Sequence, residues 1–431
     1  MKIITYFIVC FSLCIAITGC GPRKQDDNTI VFWHWMTDRE DAIKELANQY
    51  EQETGVKVKV DLYAPSEAYS KKIIASAQAK VLPDVFGILD KKETLSAFIR
   101  NGFIADLTED FSRNDFEWEN SLFTKAVNVN KFKEGNTYNI KPGIYGVPLD
   151  VTNIQMLYNK KILKKAGIVP PKTFDEFIEA LATLQRMGIS GFVSGWGELW
   201  IVETFAWNYA FNIMGEDKIM ATYRGDVPYT DPDWIRVFQV FKDLTDSKAL
   251  ARGIVTKVNK FAEQDFALER AAFSFNGSWC VNVYHKMNPD LEYAPMLPPA
   301  VNENLPMRIS GGAGTSFVVN NNSSRKDKAI AFLKWLTAKE QQVYLSQETR
   351  NLPANREAVD FIPKDLSSFT QGIEFTTHPT LWKYNEMEIV VEKFSRGIQS
   401  IIIGDKTPQE VAEAIQKIKE KEMAKAKRRN R

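Results

Sequence analysis

The sequence has few of the residues that build metal centres. Its 431 residues include three histidines and four cysteines. A site with several zinc or iron ligands is therefore not expected, and we predict neither a metal nor a cofactor. A surplus of positive charge is also lacking, because 55 Lys and Arg stand against 54 Asp and Glu. Nucleic acid binding requires a basic surface, so nucleic acid is not expected as the main partner.

Catalytic signatures are missing as well. The sequence contains no Gly-x-Ser-x-Gly, no His-Glu-x-x-His and no Gly-x-x-x-x-Gly-Lys-Ser/Thr motif. The glycines within 311–314 precede a strand pattern, so they lack the helix N-terminus with which glycine loops bind phosphate. Paired carboxylates for glycoside hydrolysis remain an open alternative, because 54 acidic residues always supply pairs by chance. We predict a protein that is not an enzyme.

The first twenty residues are typical of an export signal. Residues 3–19 carry no charge and follow Lys2. The run is short for a membrane span, which needs about 20 apolar residues, and fits a secretory signal peptide. The letters ITGC at 17–20 resemble the bacterial lipobox, whose cysteine is diacylated. We expect a signal peptide over 1–19, then a lipidated Cys20 and polar tether over 20–29. An ordinary signal with an incidental cysteine is the alternative.

Strand and helix patterns alternate after the tether. Residues 29–35 are β-branched and aromatic and predict a buried strand, whereas residues 38–53 have apolar positions at helical spacing. Gly55 is expected to end that helix. Residues 56–62 alternate apolar and charged side chains, which predicts a strand with one wet face. Such β-α repeats predict an α/β fold with an open, mostly parallel sheet.

The later chain gives clear helices and one ambiguous stretch. Residues 326–347 predict a single helix, and two further helices are expected over 379–403 and 408–423. Residues 188–230 are rich in Trp, Gly and Tyr and give no clear local structure. The charged end at 419–431 is best explained as a solvated helix end, with a membrane or nucleic-acid contact as the alternative.

Tryptophan, by contrast, is plentiful, with ten residues. Trp33 and Trp35 close the first predicted strand, and Trp279 follows the strand that ends near Phe275. In open parallel sheets, ligands bind beyond the carboxyl ends of strands. An indole face suits the C–H face of a sugar ring, so we expect ligand contact from Trp279 and from Trp196. For Trp33, Trp35 and Trp200, ligand contact and core packing both remain open.

Several motifs occur together in one order along the chain. They are VFWHW at 31–35, LPDVF at 82–86, YGVPLD at 145–150, LYNK at 157–160, PKTFDEF at 171–177, NGSW at 276–279, AIAFLKWL at 329–336 and LPANR at 352–356. Behind a lipobox, this series resembles the family 1 extracellular solute-binding proteins, the maltose-binding-like sugar receptors of bacterial ABC importers. The resemblance covers residues 30–425.

The resemblance implies a two-lobe periplasmic-binding-protein-like fold of type II, with the ligand in a cleft between lobes that three crossing segments join. Lobe 1 would take 30–146 and 310–355, and lobe 2 would take 147–309 and 356–425, followed by a charged tail at 426–431. It further implies a monomeric, lipid-anchored receptor outside the cytoplasm, on the outer face of the cytoplasmic membrane or in the periplasm.

The same resemblance implies a function. The receptor would bind a mono- or oligosaccharide by lobe closure and deliver it to an ABC permease. A non-sugar solute such as a glycerol phosphate is the alternative within the family. A lipid-anchored carbohydrate-active enzyme is the alternative outside it.

Individual site residues also follow from the resemblance. Asp84 and Asp150 would accept hydrogen bonds from ligand hydroxyls, and Trp279 would stack on a sugar ring. Asn355 or Arg356, in the last crossing segment, would donate to hydroxyls. Two structural alternatives remain open, because Asp84 could cap a turn and Arg356 could pair with a carboxylate between the lobes.

Overall fold

The computed structural model describes residues 27–89, 92–312 and 314–429. The predicted signal peptide, Cys20 and most of the tether lie outside the described residues. The strands of the described chain are β1 (Thr29–His34), β2 (Lys57–Leu62), β3 (Val85–Gly87), β4 (Lys131–Phe132), β5 (Gly143–Ile144), β6 (Val147–Pro148), β7 (Asp150–Val151), β8 (Asn153–Asn159), β9 (Ser190–Ser194), β10 (Ala271–Gly277), β11 (Tyr293–Met296), β12 (Ile309–Gly311), β13 (Ser316–Val319), β14 (Leu352–Pro353) and β15 (Thr376–Thr377).

Helices connect and cover these strands. They are α1 (Glu40–Thr54), α2 (Ser66–Gln78), α3 (Lys92–Arg100), α4 (Thr108–Ser121), α5 (Thr124–Val129), α6 (Lys160–Ala166), α7 (Phe174–Arg186), α8 (Leu199–Arg224), α9 (Pro232–Asp246), α10 (Asn259–Ala267), α11 (Cys280–Met287), α12 (Lys326–Leu336), α13 (Lys339–Thr349), α14 (Lys364–Thr370), α15 (Glu388–Ile402) and α16 (Pro408–Arg429). Within the described residues, none of these helices combines the length and apolar character needed to cross a membrane.

The first sheet has the strand order β2–β1–β3–β13–β6. β2 and β3 run parallel to β1, with Phe32 opposite both Val60 and Val85, whereas β13 runs antiparallel to β3. Buried side chains of β1 pack against the apolar face of α1, which includes Ile43. Gly55 ends α1 in the left-handed conformation (φ 73°), which confirms the predicted helix stop.

The second sheet has the order β15–β12–β8–β10–β9, and β11 also pairs with β8. β9 runs parallel to β10, but β8 is antiparallel to β10, β11 and β12. The expectation of a mostly parallel sheet therefore holds for β1, β2 and β3 but not for this sheet. Helices α7, α8, α9, α15 and α16 share its core, which includes Phe177, Phe205 and Phe241.

Three segments of the described chain join the two sheets. The first leads from β6 through residues 149–152 to β8, and the second leads from β12 to β13. The third contains β14, which pairs with β7 in a separate two-stranded ribbon, with Leu352 opposite Val151. β6 pairs in the first sheet and β12 in the second. Both changes of sheet therefore lie slightly beyond the predicted lobe boundaries at 146/147 and 309/310.

Two helical predictions need correction, and the stretch that gave no clear local structure is now assigned. Residues 188–230 contain β9 and the 26-residue segment α8, whose helix is interrupted at Gly215 (φ 75°). Buried residues lie on several faces of α8, so it shows no single amphipathic stripe. The single helix expected over 326–347 is two helices, α12 and α13. The helix expected from 379 begins as α15 only at Glu388.

Candidate ligand-binding site

In lobe 2, the sheet gathers several predicted site residues at one edge. β9 and β10 are parallel, so the segments that follow Ser194 and Gly277 leave from the same side. Ile154, at the start of antiparallel β8, pairs with Gly277, which places the first crossing segment there too. Trp200 and Trp279 follow these two strands, and their ring centres are 6.1 Å apart at an interplanar angle of 53°. We call Trp200 and Trp279 the indole pair.

In lobe 1, the equivalent edge also meets the crossing segments. Gly87, at the end of β3, pairs with Phe317 near the start of β13, and Phe317 also pairs with Val147 of β6. The residues that follow β1 and β3 therefore lie beside the first and second crossings. Because the strand ends of both lobes meet the same connections, the edges together form the candidate cleft.

A carboxylate stands behind the indole pair. Glu263 on α10 is 6% exposed. Its Oε1 accepts hydrogen bonds from Asn259 Nδ2 (3.0 Å), Asn276 Nδ2 (3.1 Å) and Trp279 Nε1 (3.2 Å). Gly277 has no room for a Cβ because the Trp279 ring lies against it. The orientation of Trp279 is thus fixed by a hydrogen bond on one side and a glycine on the other.

A second carboxylate orients the other indole. Glu198 accepts a hydrogen bond from Trp200 Nε1 (2.7 Å) and another from the Asn259 backbone N–H (2.7 Å). Gly195 allows this approach, because a side chain there would collide with the Asn259 backbone. Glu198, Asn259, Glu263 and Asn276 form one connected set, which we call the acidic network.

The pKa of Glu263 reflects both its burial and the negative charges near it. Burial is the main cause that raises the pKa of Glu263 above its usual range. Hydrogen bonds from Asn276 and Trp279 lower that pKa, while the charges of Glu198 and Asp38 raise it. Asp38 belongs to lobe 1, just before α1. The charge of Asp38 in lobe 1 therefore acts on Glu263 in lobe 2 across the candidate cleft, as the smallest of these causes.

The lobe 1 edge is aromatic. Trp33 is half-buried, donates to Asp61 Oδ2 (3.2 Å) and meets Tyr63 at a ring-centre distance of 4.9 Å. Lys72 Nζ lies 4.5 Å from the Trp33 ring centre and 4.3 Å from that of Tyr63, within cation–π range. Trp35, also half-buried, leans on Gly87, where a Cβ would collide with its ring.

Asp150 lies at the crossing segments and forms an ion pair there. Its carboxylate accepts hydrogen bonds from the Arg39 guanidinium and from the backbone N–H of Thr315 (2.5 Å). Arg39 also donates to Asn351 Oδ1 (2.9 Å) and contacts Asp38 at 3.3 Å. Arg39 and Asp150 are 5% and 1% exposed. Asp150 therefore ties the three crossings together through Arg39, rather than presenting a free acceptor to a ligand.

Trp196 is placed differently from the prediction. It is fully buried among Phe192, Phe205 and Phe241 in the core of lobe 2. Its Nε1 has no hydrogen-bond partner in the described structure. The ring turns inward because α8 and α9 pack over the end of β9. A ring with no exposed surface has no face to offer a ligand, so we correct this assignment.

Asp84 lies at the opposite end of its strand. It precedes β3, and its oxygens accept hydrogen bonds from Val31 N (2.7 Å), Ser323 Oγ and the Arg325 guanidinium (3.0 Å). β3 leads away from Asp84 toward the cleft edge at Gly87. The structure thus favours the structural alternative, in which Asp84 holds β1, β3 and the start of α12 together.

Asn355 and Arg356 also make contacts within the fold. Asn355 is 2% exposed; its Oδ1 accepts from Glu357 N (2.9 Å) and its Nδ2 donates to Thr337 O (2.9 Å). Arg356 is exposed and donates to the Asn120 carbonyl oxygen. Asn355 is therefore a capping residue, and Arg356 stays near α4 rather than among the residues of the candidate site.

Sequence reasoning missed the polar members of the acidic network. Glu263 had a usable signal, because it shares the buried face of α10 with Asn259, Ala262 and Phe266. A carboxylate in an otherwise buried stripe requires a partner and indicates a site. Glu198 lies between two tryptophans, but only the fold shows that both of its oxygens are engaged.

Two α/β lobes with strand ends facing shared crossing segments define the periplasmic-binding-protein fold. A solved chitin oligosaccharide binding protein has the same fold, with a TM-score of 0.74 and 20% identity over 91% of this chain and 98% of that chain. The chain belongs to the bacterial extracellular solute-binding protein family, whose profile matches residues 45–376. The resemblance and the fold class predicted from sequence are both confirmed.

The names of similar proteins specify different ligands. The melibiose/raffinose/stachyose-binding protein MelE of Bacillus subtilis is 23% identical over 310 residues, which cover 69% of this chain and 68% of MelE. The sn-glycerol-3-phosphate-binding periplasmic protein UgpB of Shigella flexneri is 24% identical and covers 95% of each chain. The family relation alone therefore leaves the ligand to be argued from the site.

Proposed function

We propose that this chain is the extracytoplasmic receptor of an ABC importer and that it binds a mono- or oligosaccharide between its lobes. The observation that carries this proposal is the indole pair at the cleft edge, backed by the acidic network. Indole faces complement the C–H faces of a sugar ring, and carboxylates accept hydrogen bonds from its hydroxyls. The name of the relative MelE, which specifies three saccharides, supports the same ligand class.

Ligand capture is proposed to proceed by lobe closure. A ligand seated on the indole pair of lobe 2 reaches Trp33, Trp35 and Asp38 only when lobe 1 comes close. It therefore shifts the population toward the closed state. Moving that population from 1:99 to 99:1 requires about 5.5 kcal/mol of differential binding. Stacked rings and a few hydrogen bonds to carboxylates are of the right size to supply this energy.

The partners and location complete this proposal. The closed receptor presents both lobes to a membrane permease, as a monomer tethered by lipid on Cys20. Two or more acyl chains would hold it at the membrane, since a single chain binds only marginally. Radiolabelled acyl incorporation that disappears in Cys20→Ala would support the anchor, and unchanged labelling would contradict it.

A thermal-shift screen against saccharides tests the ligand class. We expect at least one saccharide to raise the melting temperature of the wild-type protein, and Trp279→Ala to abolish most of that shift. Trp335→Ala is the matched control, because Trp335 lies on α12 and donates to Glu53 away from the cleft. Stabilisation by a non-sugar solute alone would refute the saccharide and leave the fold untouched. Release of shorter sugars during incubation would instead favour an enzyme.

A further inference from the structure

The acidic network contains acceptors that lack donors. All three hydrogen bonds to Glu263 end on Oε1, and no described residue donates to Oε2. The buried Oδ1 of Asn259 likewise has no hydrogen-bond partner in the described structure. Asn259 and Glu263 are 9% and 6% exposed. A buried acceptor without a donor, such as Asn259 Oδ1, is costly, and Glu263 Oε2 can accept a hydrogen bond from a bound molecule.

The network also lacks a cation. Within the described residues, neither Glu198 nor Glu263 forms an ion pair, and two basic side chains, Arg39 and Lys257, are paired with other carboxylates. Arg39 is held by Asp150, and Lys257 pairs with Asp265 at 2.8 Å. The negative charges of Glu198 and Asp38 both act on Glu263. A phosphate or carboxylate placed here would bring further acceptors and a like charge.

We propose that Glu198 and Glu263 select the ligand by charge, accepting saccharides that are neutral or carry a protonated amine and rejecting phosphorylated and uronic solutes. This inference rests on the proposed function and narrows its substrate class. A protonated amino sugar offers three N–H donors and a positive charge, so it satisfies the unpartnered oxygens best. A neutral sugar supplies hydroxyl donors without the charge.

A charge-graded panel tests the selection. The probes are di-N-acetylchitobiose and raffinose as neutral saccharides, the glucosamine disaccharide as a cation, and glycerol 3-phosphate and digalacturonate as anions. We expect melting-temperature shifts only from neutral or cationic probes. For a bound cationic probe, Glu263→Gln should raise Kd at least tenfold, with a smaller rise for a neutral probe. A shift caused by either anion in the wild-type protein would overturn the inference.

A ligand-independent measurement keeps the inference testable if no probe binds. The Trp200 side chain is 41% exposed and touches Glu198, so its fluorescence senses the local charge. The Trp200 contribution is the difference between wild type and Trp200→Phe. We expect its caesium-to-iodide quenching ratio to be at least twice that of N-acetyltryptophanamide, and to fall in Glu198→Gln. A ratio at or below that of the free compound would overturn the inference.

Controls separate this inference from the proposed function. Glu179→Gln removes an exposed carboxylate from α7 and should leave both the panel and the quenching ratio unchanged. Near-ultraviolet circular dichroism checks that each variant keeps its tertiary packing. If saccharides bind but iodide quenches preferentially, charge selection fails and the saccharide receptor stands. If no saccharide binds while caesium quenches preferentially, the receptor proposal fails and the anionic character of the site stands.

Discussion

The two halves of the candidate cleft differ in what they offer a ligand. Lobe 1 presents aromatic rings, Trp33 and Trp35, with Lys72 against one of them. Lobe 2 presents an indole pair whose N–H groups are bound to Glu198 and Glu263. Lobe 2 therefore holds a polar site that is fixed by its own hydrogen bonds, whereas lobe 1 mainly adds apolar surface. In the proposed function, this difference assigns recognition mainly to lobe 2 and the completion of the site on closure to lobe 1.

The largest expected loss of stability comes from removing the Arg39–Asp150 ion pair, which holds the crossing segments between the lobes. Asp150→Asn would remove the buried carboxylate that pairs with Arg39 and leave the more exposed Asp38 as its carboxylate partner. Removing one partner of a buried ion pair typically costs about 3–5 kcal/mol. We expect a fall of that size in the free energy of unfolding, measured in urea. Arg396→Gln, which removes an exposed ion pair with Glu392, is the control and should leave the midpoint unchanged. Equal effects would show that the crossings do not depend on Arg39.

A pH titration of stability probes the buried His34 of lobe 1. His34 is fully buried at the end of β1, and burial is the main cause that lowers its pKa from 6.5 to about 4. The charges of Arg39 and Lys44 lower the pKa further, while Glu40 and Asp38 raise it. As pH falls, His34 binds its proton in the unfolded chain before it does so in the folded protein. The contribution of neutral His34 to the free energy of unfolding is therefore complete above pH 6.5 and is lost as pH falls through about 4.

The expected size of this loss is up to about 3 kcal/mol. His34→Asn, which keeps an acceptor near the Met36 N–H, should reduce the fall in unfolding free energy between those pH values. His378, whose pKa burial also lowers to about 4, should account for part of the fall that remains. A control at pH 8 corrects for any stability change from the substitution itself. An unchanged slope in His34→Asn would mean that other groups govern acid unfolding.

Two tryptophan substitutions sharpen the comparison directly. Trp279→Ala should weaken saccharide binding by roughly 1–3 kcal/mol, because it removes a stacking face and a contact to Glu263. Trp33→Ala should weaken it less, because the lobe 1 ring joins the site only on closure. Calorimetric Kd values for both variants check the order. A larger loss of affinity in Trp33→Ala than in Trp279→Ala would mean that the saccharide binds first to lobe 1.

The smallest expected effect concerns a residue that the sequence assigned to the site. Arg356→Ala removes an exposed side chain whose contact is the Asn120 carbonyl. We expect an unchanged Kd and a stability change within about 0.5 kcal/mol. A tenfold weaker Kd would return Arg356 to the site and make the third crossing a ligand contact.

Local patterns in the sequence predicted the parts of the fold that local chemistry decides. β1 and α1 follow from their apolar spacing, and Gly55 marks the end of the helix. Trp279 follows a strand and lies at the cleft edge. The orientation of Trp196 depends instead on α8, whose buried residues lie on several faces and hide the helical period. Asp84 resembles a cleft residue in sequence, but its partner Arg325 comes from a distant segment that only the fold brings near.

The β7–β14 ribbon limits how the lobes can move in the proposed closure. Its backbone pairing joins the first and third crossings, so sliding of one lobe past the other would break these bonds. We expect the lobes instead to rotate about the ribbon as a hinge, so that the displacement of a residue grows with its distance from the ribbon. Spin-label distances measured beside the ribbon would stay constant as ligand is added, while those across the outer rim would shorten by several ångströms.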